Sequence, residues 1–108
     1  MNWLNNMEIH LVNIQIEQFI ESLEKQTIAK VLRTLDLLEK FGYELGMPHS
    51  KSLHKGLFEL RIRGVQEVRL IYVYHHDEII VLHGFIKKGS KISRTDLNIA
   101  MKRKTTLT

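Results

Sequence analysis

The chain has 108 residues, the size of one domain with one core, and we treat residues 1–108 as a single domain. A hydrophobic content of 44% excludes a disordered chain, the lack of cysteine excludes disulfides and thiolate metal sites, and no apolar run approaches the roughly 18 residues of a membrane span. The net charge of +4 is uneven: residues 1–46 carry four Lys/Arg and seven Asp/Glu, whereas residues 47–108 carry twelve and five, which favours a polyanion-binding face separate from an acidic one.

The first part of the chain predicts one strand and a helical hairpin. Residues 7–14 alternate apolar and polar side chains, as a strand does. Two apolar stripes with helical spacing follow, and the second predicts a helix over residues 26–41 that ends at Gly42, with the turn between the helices near Lys25 and Gln26. The two stripes comprise Ile16, Phe19, Ile20 and Leu23, and then Ile28, Val31, Leu32, Leu35 and Leu38.

The second part of the chain predicts three strands and a last helix. Residues 43–56 contain Gly46, Pro48 and two serines and are assigned to a loop. Strands are predicted over residues 57–63, 68–75 and 78–88, and a helix begins near Ser93 and Asp96. The order β-α-α-β-β-β-α indicates an α+β fold in which the helical hairpin packs on one face of a mainly antiparallel, twisted sheet and leaves the other face partly open.

Charged residues alternate with apolar ones in LFELRIRG, residues 57–64, so Arg61 and Arg63 point away from the core. Arg69 lies in an otherwise apolar strand, where a buried guanidinium needs a partner such as Glu59. A structural ion pair and an anion-binding site both explain Arg69, and one does not exclude the other.

None of the six histidines has metal-ligand spacing, and no metal site is expected. His75 and His76 adjoin a turn and are expected to be exposed. His83 lies in a strand, where a histidine is more often a hydrogen-bonded core residue than a catalyst. His49 and His54 lie in the basic loop and are within reach of a substrate bound there.

The run FGYELGMPHSKSLHKGLFELRIRG, then VRLIYVY, then IIVLHGFIKKGSK, resembles the phage-derived HigB-like toxins of the RelE/ParE superfamily. The family pattern is a helix ending in FG, an LG-x-P loop, a K-x-L step, an aromatic-ELRI strand, an R-hydrophobic-hydrophobic-Y strand and LLHGF-x-KK before the last helix. The match extends from about Phe41 to Lys91.

This resemblance implies a RelE-like domain and a cytoplasmic toxin of a type II toxin–antitoxin system. Such toxins are ribosome-dependent mRNA endonucleases (mRNA interferases), in which the RNA 2′-OH attacks the adjacent phosphate without metal or other cofactor and cations stabilise the developing charge. The implied partners are the ribosome, mRNA and a HigA-like helix-turn-helix antitoxin. DNA would be contacted only through the antitoxin complex, and no membrane contact is expected.

The resemblance also carries basic site residues over by position. The catalytic set is Arg61, Arg69, Lys87 and Lys88, with Glu59 beside them. No general acid or base is carried over, and the candidates for that role are Glu59, His54 and His83. Further basic residues expected to contact RNA are Lys51, Lys55, Arg63, Lys91, Lys102 and Arg103.

Two departures leave the proton-transfer group open. A tyrosine that some RelE relatives place after the basic pair is replaced here by Gly89, Ser90 and Lys91, and the C-terminal LNIAMKRKTTLT lacks the histidine and aspartate of some HigB relatives.

Alternatives to a nuclease are a ParE-like DNA gyrase inhibitor and a non-catalytic RNA- or DNA-binding module. The last needs aromatic residues on the open face, and Phe58 is expected to point to the core.

The register of the hairpin formed by residues 57–63 and 68–75 tests whether Arg61 and Arg69 can contact the same phosphate. A plain four-residue turn would pair Arg63 with Val68 and place Arg61 and Arg69 on opposite faces. A register shifted by one residue, which Gly64 makes easy, places both on the same face. We predict the shifted register, with Lys87 or Lys88 on that face too. Arg69→Ala is then expected to abolish toxicity without unfolding the protein.

Overall fold

The computed structural model describes residues 6–108 and has the predicted α+β architecture. In chain order the helices and strands are β1 Ile9–Leu11, α1 Ile14–Glu21, α2 Lys25–Phe41, β2 Ser50–Ser52, β3 Phe58–Ile62, β4 Val68–His75, β5 Glu78–Ile86 and α3 Arg94–Lys104. Two short 3-10 turns, Gly42–Glu44 and His54–Gly56, lie on either side of β2. Within the described part, no helix has both the length and the apolar character that crossing a bilayer demands.

The five strands form one sheet in the order β1-β5-β4-β3-β2. Among the described residues only β1 and β5 pair in parallel, so the sheet is mainly antiparallel, as predicted. The assignment of residues 43–56 to a loop was wrong in one respect, because they contain the edge strand β2. This strand has no apolar alternation to reveal it, and it is held by pairing with β3 and by a buried hydrogen bond of 2.6 Å between Ser50 Oγ and Tyr72 Oη.

The helical hairpin forms where the apolar stripes predict it, with two local differences. The turn lies at residues 22–24 instead of near Lys25 and Gln26. Leu32 was assigned to the apolar stripe of α2, but 53% of it is exposed. Thr34 takes a buried position of α2 instead, and its hydroxyl donates to the carbonyl of Lys30 at 2.7 Å.

The sheet buries apolar side chains on both faces. α1 and α2 cover one face, where the largest buried residues include Leu60, Leu70 and Tyr72. On the other face, Ala100 and its neighbours on α3 pack against a second cluster that includes Ile71 and Val73. The face that the sequence predicted to be partly open is therefore covered by α3 at one end, and the uncovered part lies beside β3.

The predicted register of the β3–β4 hairpin is confirmed. Arg61 lies directly opposite Arg69, and Ile62 pairs with Val68, which leaves the five residues 63–67 in the connection. Both arginines thus emerge on the face that carries α3. Like charges directly opposite each other destabilise a sheet unless they are compensated, so this register requires carboxylates nearby.

A β-bulge in β5 decides which side chains join these arginines. Ile71 pairs with His83, but Tyr72 pairs with Val81, so Leu82 is an extra residue in β5. Beyond the bulge the alternation is reversed, and Phe85, opposite Arg69, points to the α3 face. Lys87 lies two residues after Phe85 and therefore points to the same α3 face. The strand pairing continues to this residue, because the backbone N–H of Lys87 donates to the backbone carbonyl of Glu67.

We predict that Gly84→Ala destabilises the protein by about 1–3 kcal/mol, because overpacking forces its neighbours to move. A methyl group at Gly84 would lie 2.7 Å from Phe19 Cδ2 and 2.8 Å from Leu70 Cδ2. Urea denaturation measures the effect. Gly46→Ala is the matched control, since a Cβ there meets no atom within 4 Å, and equal stability of the two variants would contradict the packing argument.

The tyrosines beneath α2 predict a loss of stability at alkaline pH. Burial raises the pKa of Tyr72 and of Tyr74 above the ordinary value of 10.0. Above pH 10 the unfolded chain therefore releases phenolic protons that the folded chain retains, so the free energy of unfolding falls as the pH rises. Urea midpoints between about pH 8 and 11 should fall in the wild type and fall less steeply in Tyr74→Phe. Parallel curves would contradict this origin.

Candidate functional site

A cleft of about 510 Å³ opens on the α3 face, between β3 and the helix. Glu59 and Arg61 of β3 line one side, and Leu97 and Met101 of α3 line the other. The cleft is therefore basic and polar on the strand side and apolar on the helix side. The complete lining is Lys51, Leu53, His54, Lys55, Leu57, Glu59, Arg61, Lys87, Ser90, Lys91, Ile92, Leu97, Asn98 and Met101.

The fold brings together about half of the candidate residues. Those that line the cleft are Lys51, His54, Lys55, Glu59, Arg61, Lys87 and Lys91. The candidates that do not line it are Arg63, Arg69, His83, Lys88, Lys102 and Arg103. The expectation of Lys87 or Lys88 on this face is met by Lys87, because neighbouring residues of an extended chain point to opposite sides.

Arg61 is the strand arginine with access to the cleft. Its Nε donates to Glu59 Oε1 at 2.9 Å, and 13% of its side chain is exposed. Of its terminal nitrogens, Nη1 has only the thioether sulfur of Met47, at 3.8 Å, as a partner within residues 6–108. Glu59 thus fixes the orientation of Arg61 and leaves its terminal nitrogens available to an anion.

Arg69 emerges on the same face but lies beneath the cleft. Its side chain is 3% exposed, Nη1 donates to the carbonyl of Val68 at 2.9 Å, and Nη2 donates to Glu67 Oε1 at 3.1 Å. Its Nε is buried 3.6 Å from Glu59 Oε2 and makes no hydrogen bond. In this arrangement Arg69 does not reach a ligand in the cleft, and its contact with the site is through Glu59.

The four charges of this network balance one another. Arg61 and Arg69 lie opposite each other, Glu59 lies between them, and Glu67 pairs with Arg69 from the other end. The backbone N–H of Gly64, and secondarily Arg69, keep the pKa of Glu67 below its ordinary value, so Glu67 stays ionised at neutral pH. The uncompensated positive charge of the cleft therefore comes from its lysines.

These lysines converge on the cleft from three different segments. Lys51 belongs to β2, Lys55 to the His54–Gly56 turn, and Lys87 and Lys91 to the chain between β5 and α3. None of the four pairs with a carboxylate among residues 6–108. A local excess of unpaired lysines attracts anions, and phosphate groups in particular.

The two histidine candidates have different surroundings. His54 is exposed and lines the cleft on the turn that precedes β3. This turn is tied to α3, because Lys104 Nζ donates to the carbonyl of Lys55 at 2.6 Å. His83 instead contacts Asp96 through Nε2 at 2.7 Å, and Asp96 also accepts from Ser93 Oγ, so His83 joins β5 to the start of α3.

The other candidates lie elsewhere. Arg103 donates to the carbonyl of Leu82, which is the extra residue of the bulge, so it has a structural contact. Arg63 lines a smaller neighbouring pocket with Lys30 and Arg33 of α2, and Arg61 borders both this pocket and the cleft. Lys88 and Lys102 are exposed.

One set of possible metal ligands occurs within residues 6–108. Glu8, His10 and Glu78 have ligand atoms within 4.8 Å of one another at the β1–β5 edge, and none of them lines the cleft. The cleft itself offers imidazole and cationic groups to a substrate.

The helical side of the cleft was not identified from the sequence. Asn98 and Met101 of α3 and Ser90 of the preceding loop all line it. Their residue types carry no functional signal by themselves. The one available signal was the apolar spacing of Leu97, Ala100 and Met101, which indicated that α3 packs on the sheet but not that it borders a cleft.

The chain belongs to the family described as phage-derived protein Gp49-like (DUF891), whose model matches residues 18–105. A chain in the crystal structure of the heterotetrameric YoeB–YefM toxin–antitoxin complex from Staphylococcus aureus has a similar fold, with a TM-score of 0.54 and 17% sequence identity over 78% of this chain and 98% of that chain. At this identity the likeness concerns the fold. No curated protein has a matching sequence.

Proposed function

We propose that this protein is the toxin of a type II toxin–antitoxin system and that it inhibits translation in the cytoplasm as a ribosome-dependent mRNA endonuclease. Its family membership and the fold that it shares with a chain of a toxin–antitoxin complex support the toxin role. The nuclease activity is supported by one observation above all. The cleft places an oriented arginine, Arg61, among four lysines that have no carboxylate partner in the described chain.

The chemistry of the cleft suits phosphodiester cleavage by the RNA itself. The 2′-OH loses a proton and attacks the adjacent phosphorus, a 2′,3′-cyclic phosphate forms, and the 5′-oxygen of the next nucleotide leaves with a proton. No oxidant or reductant is needed. The phosphate gains negative charge in the transition state, and fixed cations stabilise this charge more than that of the ground state.

In this proposal Arg61 and Lys87 stabilise the transition state, and Lys51, Lys55 and Lys91 hold the neighbouring phosphates. Glu59 acts as a positioning residue, because its carboxylate is buried and accepts from Arg61 Nε. Arg69 in turn holds Glu59. Arg63, Lys88, Lys102 and Arg103 retain at most a peripheral contact with RNA, since they lie outside the cleft.

We propose His54 as the group that transfers a proton, because it lines the cleft, is exposed and has no side-chain hydrogen bond to any described residue. His54→Ala is expected to lower single-turnover cleavage by about 10²–10⁴-fold. The control is His49→Ala, which does not line the cleft. An unchanged cleavage rate in His54→Ala would exclude this role.

The proposed function is tested by translation in a cell extract with the purified protein. We expect a defined message to be cut only when ribosomes translate it, with 2′,3′-cyclic phosphate at the new ends. Intact message together with inhibited DNA supercoiling would favour the gyrase inhibitor. Protection of RNA without either effect would favour a binding module.

The structure already weakens the binding-module alternative. Phe58 packs against Tyr72 and Tyr74 on the face covered by α1 and α2, as expected from the sequence. No Phe, Tyr or Trp within residues 6–108 lines the cleft. A surface that binds single strands by base stacking needs aromatic rings in that place.

The toxin role also requires an inhibitor, and we propose that this is a HigA-like helix-turn-helix antitoxin encoded next to the toxin. Induction of the protein alone is expected to arrest growth, and co-expression of the neighbouring frame should restore it. Harmlessness on strong induction, with soluble folded protein present, would overturn the toxin role.

A further inference from the structure

A second concave surface lies between α1 and α2, above the edge strand β1. This groove has a volume of about 370 Å³. Its apolar part is formed by Ile9 and Leu11 of β1, Ile20 of α1, and Leu32 and Leu35 of α2. Leu32 belongs to the apolar stripe of α2 but is not buried, since 53% of it is exposed. The two helices therefore leave apolar surface uncovered at this edge.

The rims of the groove carry only negative charge among the described residues that line it. Glu17 and Glu21 lie on the α1 side, and Asp36 and Glu39 lie on the α2 side. On each helix the two carboxylates are four or three positions apart, so they are stacked one helical turn apart on the same face. A helix of a partner that binds in the groove could place lysines or arginines, with the same one-turn spacing, opposite the carboxylates of both rims.

The groove and the basic cleft lie at opposite parts of the molecule. The groove borders β1 and the cleft borders β2, which are the two edge strands of the sheet. The groove is on the face covered by α1 and α2, and the cleft is on the face that carries α3. The two lining sets have no residue in common, so both surfaces can be occupied at once.

We propose that this acidic groove binds a basic amphipathic helix of a partner protein. The exposed Leu32 and the half-buried Ile9, Leu11 and Leu35 receive its apolar stripe. The four carboxylates pair with cations on its flanks, in the helix-in-groove mode of recognition. The further step of identifying this partner as the antitoxin rests on the proposed function. The proposal that the groove binds a basic helix is independent of the proposed function.

The probe is a fluorescein-labelled peptide of about 18 residues, long enough to form a helix, with leucine at every third or fourth position and lysine on both flanks. Its binding to the purified full chain is followed by fluorescence anisotropy. We expect saturable binding that weakens several-fold between about 50 and 500 mM NaCl. A peptide of the same composition in scrambled order, without an apolar stripe, should bind at least about tenfold more weakly.

Two matched pairs of variants locate the site. The double variant Glu17→Lys with Asp36→Lys should weaken peptide binding by about tenfold. The control, Glu24→Lys with Glu44→Lys, changes the net charge equally but outside the groove. Its affinity for the peptide should stay within about twofold of the wild-type affinity. Leu32→Asp should weaken binding similarly, and Val65→Asp, also at an exposed apolar residue, should not. All of these positions are exposed, so the variants are expected to fold.

Several results would overturn the proposal. Failure of the peptide to bind, equal binding of the scrambled peptide, or equal losses in the groove and control variants would each exclude a helix-binding groove. Self-association of the wild-type chain that only the groove variants abolish would identify a second copy of this chain as the occupant instead. Because the assay contains no ribosome and no mRNA, its outcome does not depend on whether the protein is a nuclease.

Discussion

Replacement of Arg61 by glutamine is expected to lower ribosome-dependent mRNA cleavage by about 10²–10³-fold, the loss typical of removing one group that stabilises transition-state charge. Arg61 lines the cleft, and its terminal nitrogens have no carboxylate partner among residues 6–108. Arg61 Nε is also the hydrogen-bond donor to the buried carboxylate of Glu59, so the change should cost some stability as well. Urea denaturation measures that cost, and the rate is compared under conditions in which the variant is fully folded. The rate is measured in single-turnover reactions on programmed ribosomes.

Arg63→Gln is the matched control for Arg61→Gln. Arg63 is two residues further along the same stretch of chain and carries the same charge, but it does not line the cleft. The smaller pocket that Arg63 lines is bordered by Arg61 as well, so only contact with the cleft distinguishes the two arginines. The two variants have the same net charge, so any general effect on RNA or ribosome attraction is shared. Equal losses in the two variants would mean that long-range charge, and not the geometry of the cleft, determines the activity.

Arg69→Ala is expected to destabilise the protein by about 3–5 kcal/mol, because removal of one partner leaves a buried charge without compensation. Arg69 and Glu59 are 3% and 2% exposed, and they lie side by side beneath the cleft. Loss of toxicity in Arg69→Ala would then reflect unfolding as well as any role in the site. This differs from the expectation based on sequence, in which the variant folds.

A double variant separates the two roles of Arg69. In Arg69→Met with Glu59→Leu both buried charges are replaced by apolar side chains of similar size, which is often neutral or stabilising. We expect most of the stability to return in urea denaturation, whereas cleavage stays low because Arg61 has lost the carboxylate that orients it. Wild-type stability of the single variant Arg69→Ala would contradict the structural role, and wild-type cleavage by the double variant would contradict the positioning role.

The pattern of apolar residues was sufficient to predict most of the architecture. β4 matches its predicted residues 68–75, α2 begins and ends within one residue of its predicted limits, and α3 begins close to its predicted start. Each of these helices and strands buries one or both of its faces. The spacing of its apolar residues therefore follows the face or faces that pack against the core. The register of β3 and β4 was predicted by requiring Arg61 and Arg69 on the same face, and Gly64 lies in the five-residue connection that allows it.

The tertiary structure decided what the local pattern could not express. β2 has no apolar alternation and exists because β3 supplies its hydrogen bonds. The bulge at Leu82 reverses the side-chain alternation of β5 and thereby turns Lys87 toward the cleft, and the sequence VLHGFIKK contains no mark of it. The burial of Arg69 and the exposure of Leu32 likewise depend on which neighbours come to cover them. The basic residue types that can hold an anion are evident from the sequence, but their selection into one cleft depends on strand register and helix placement, which are set by contacts between distant parts of the chain.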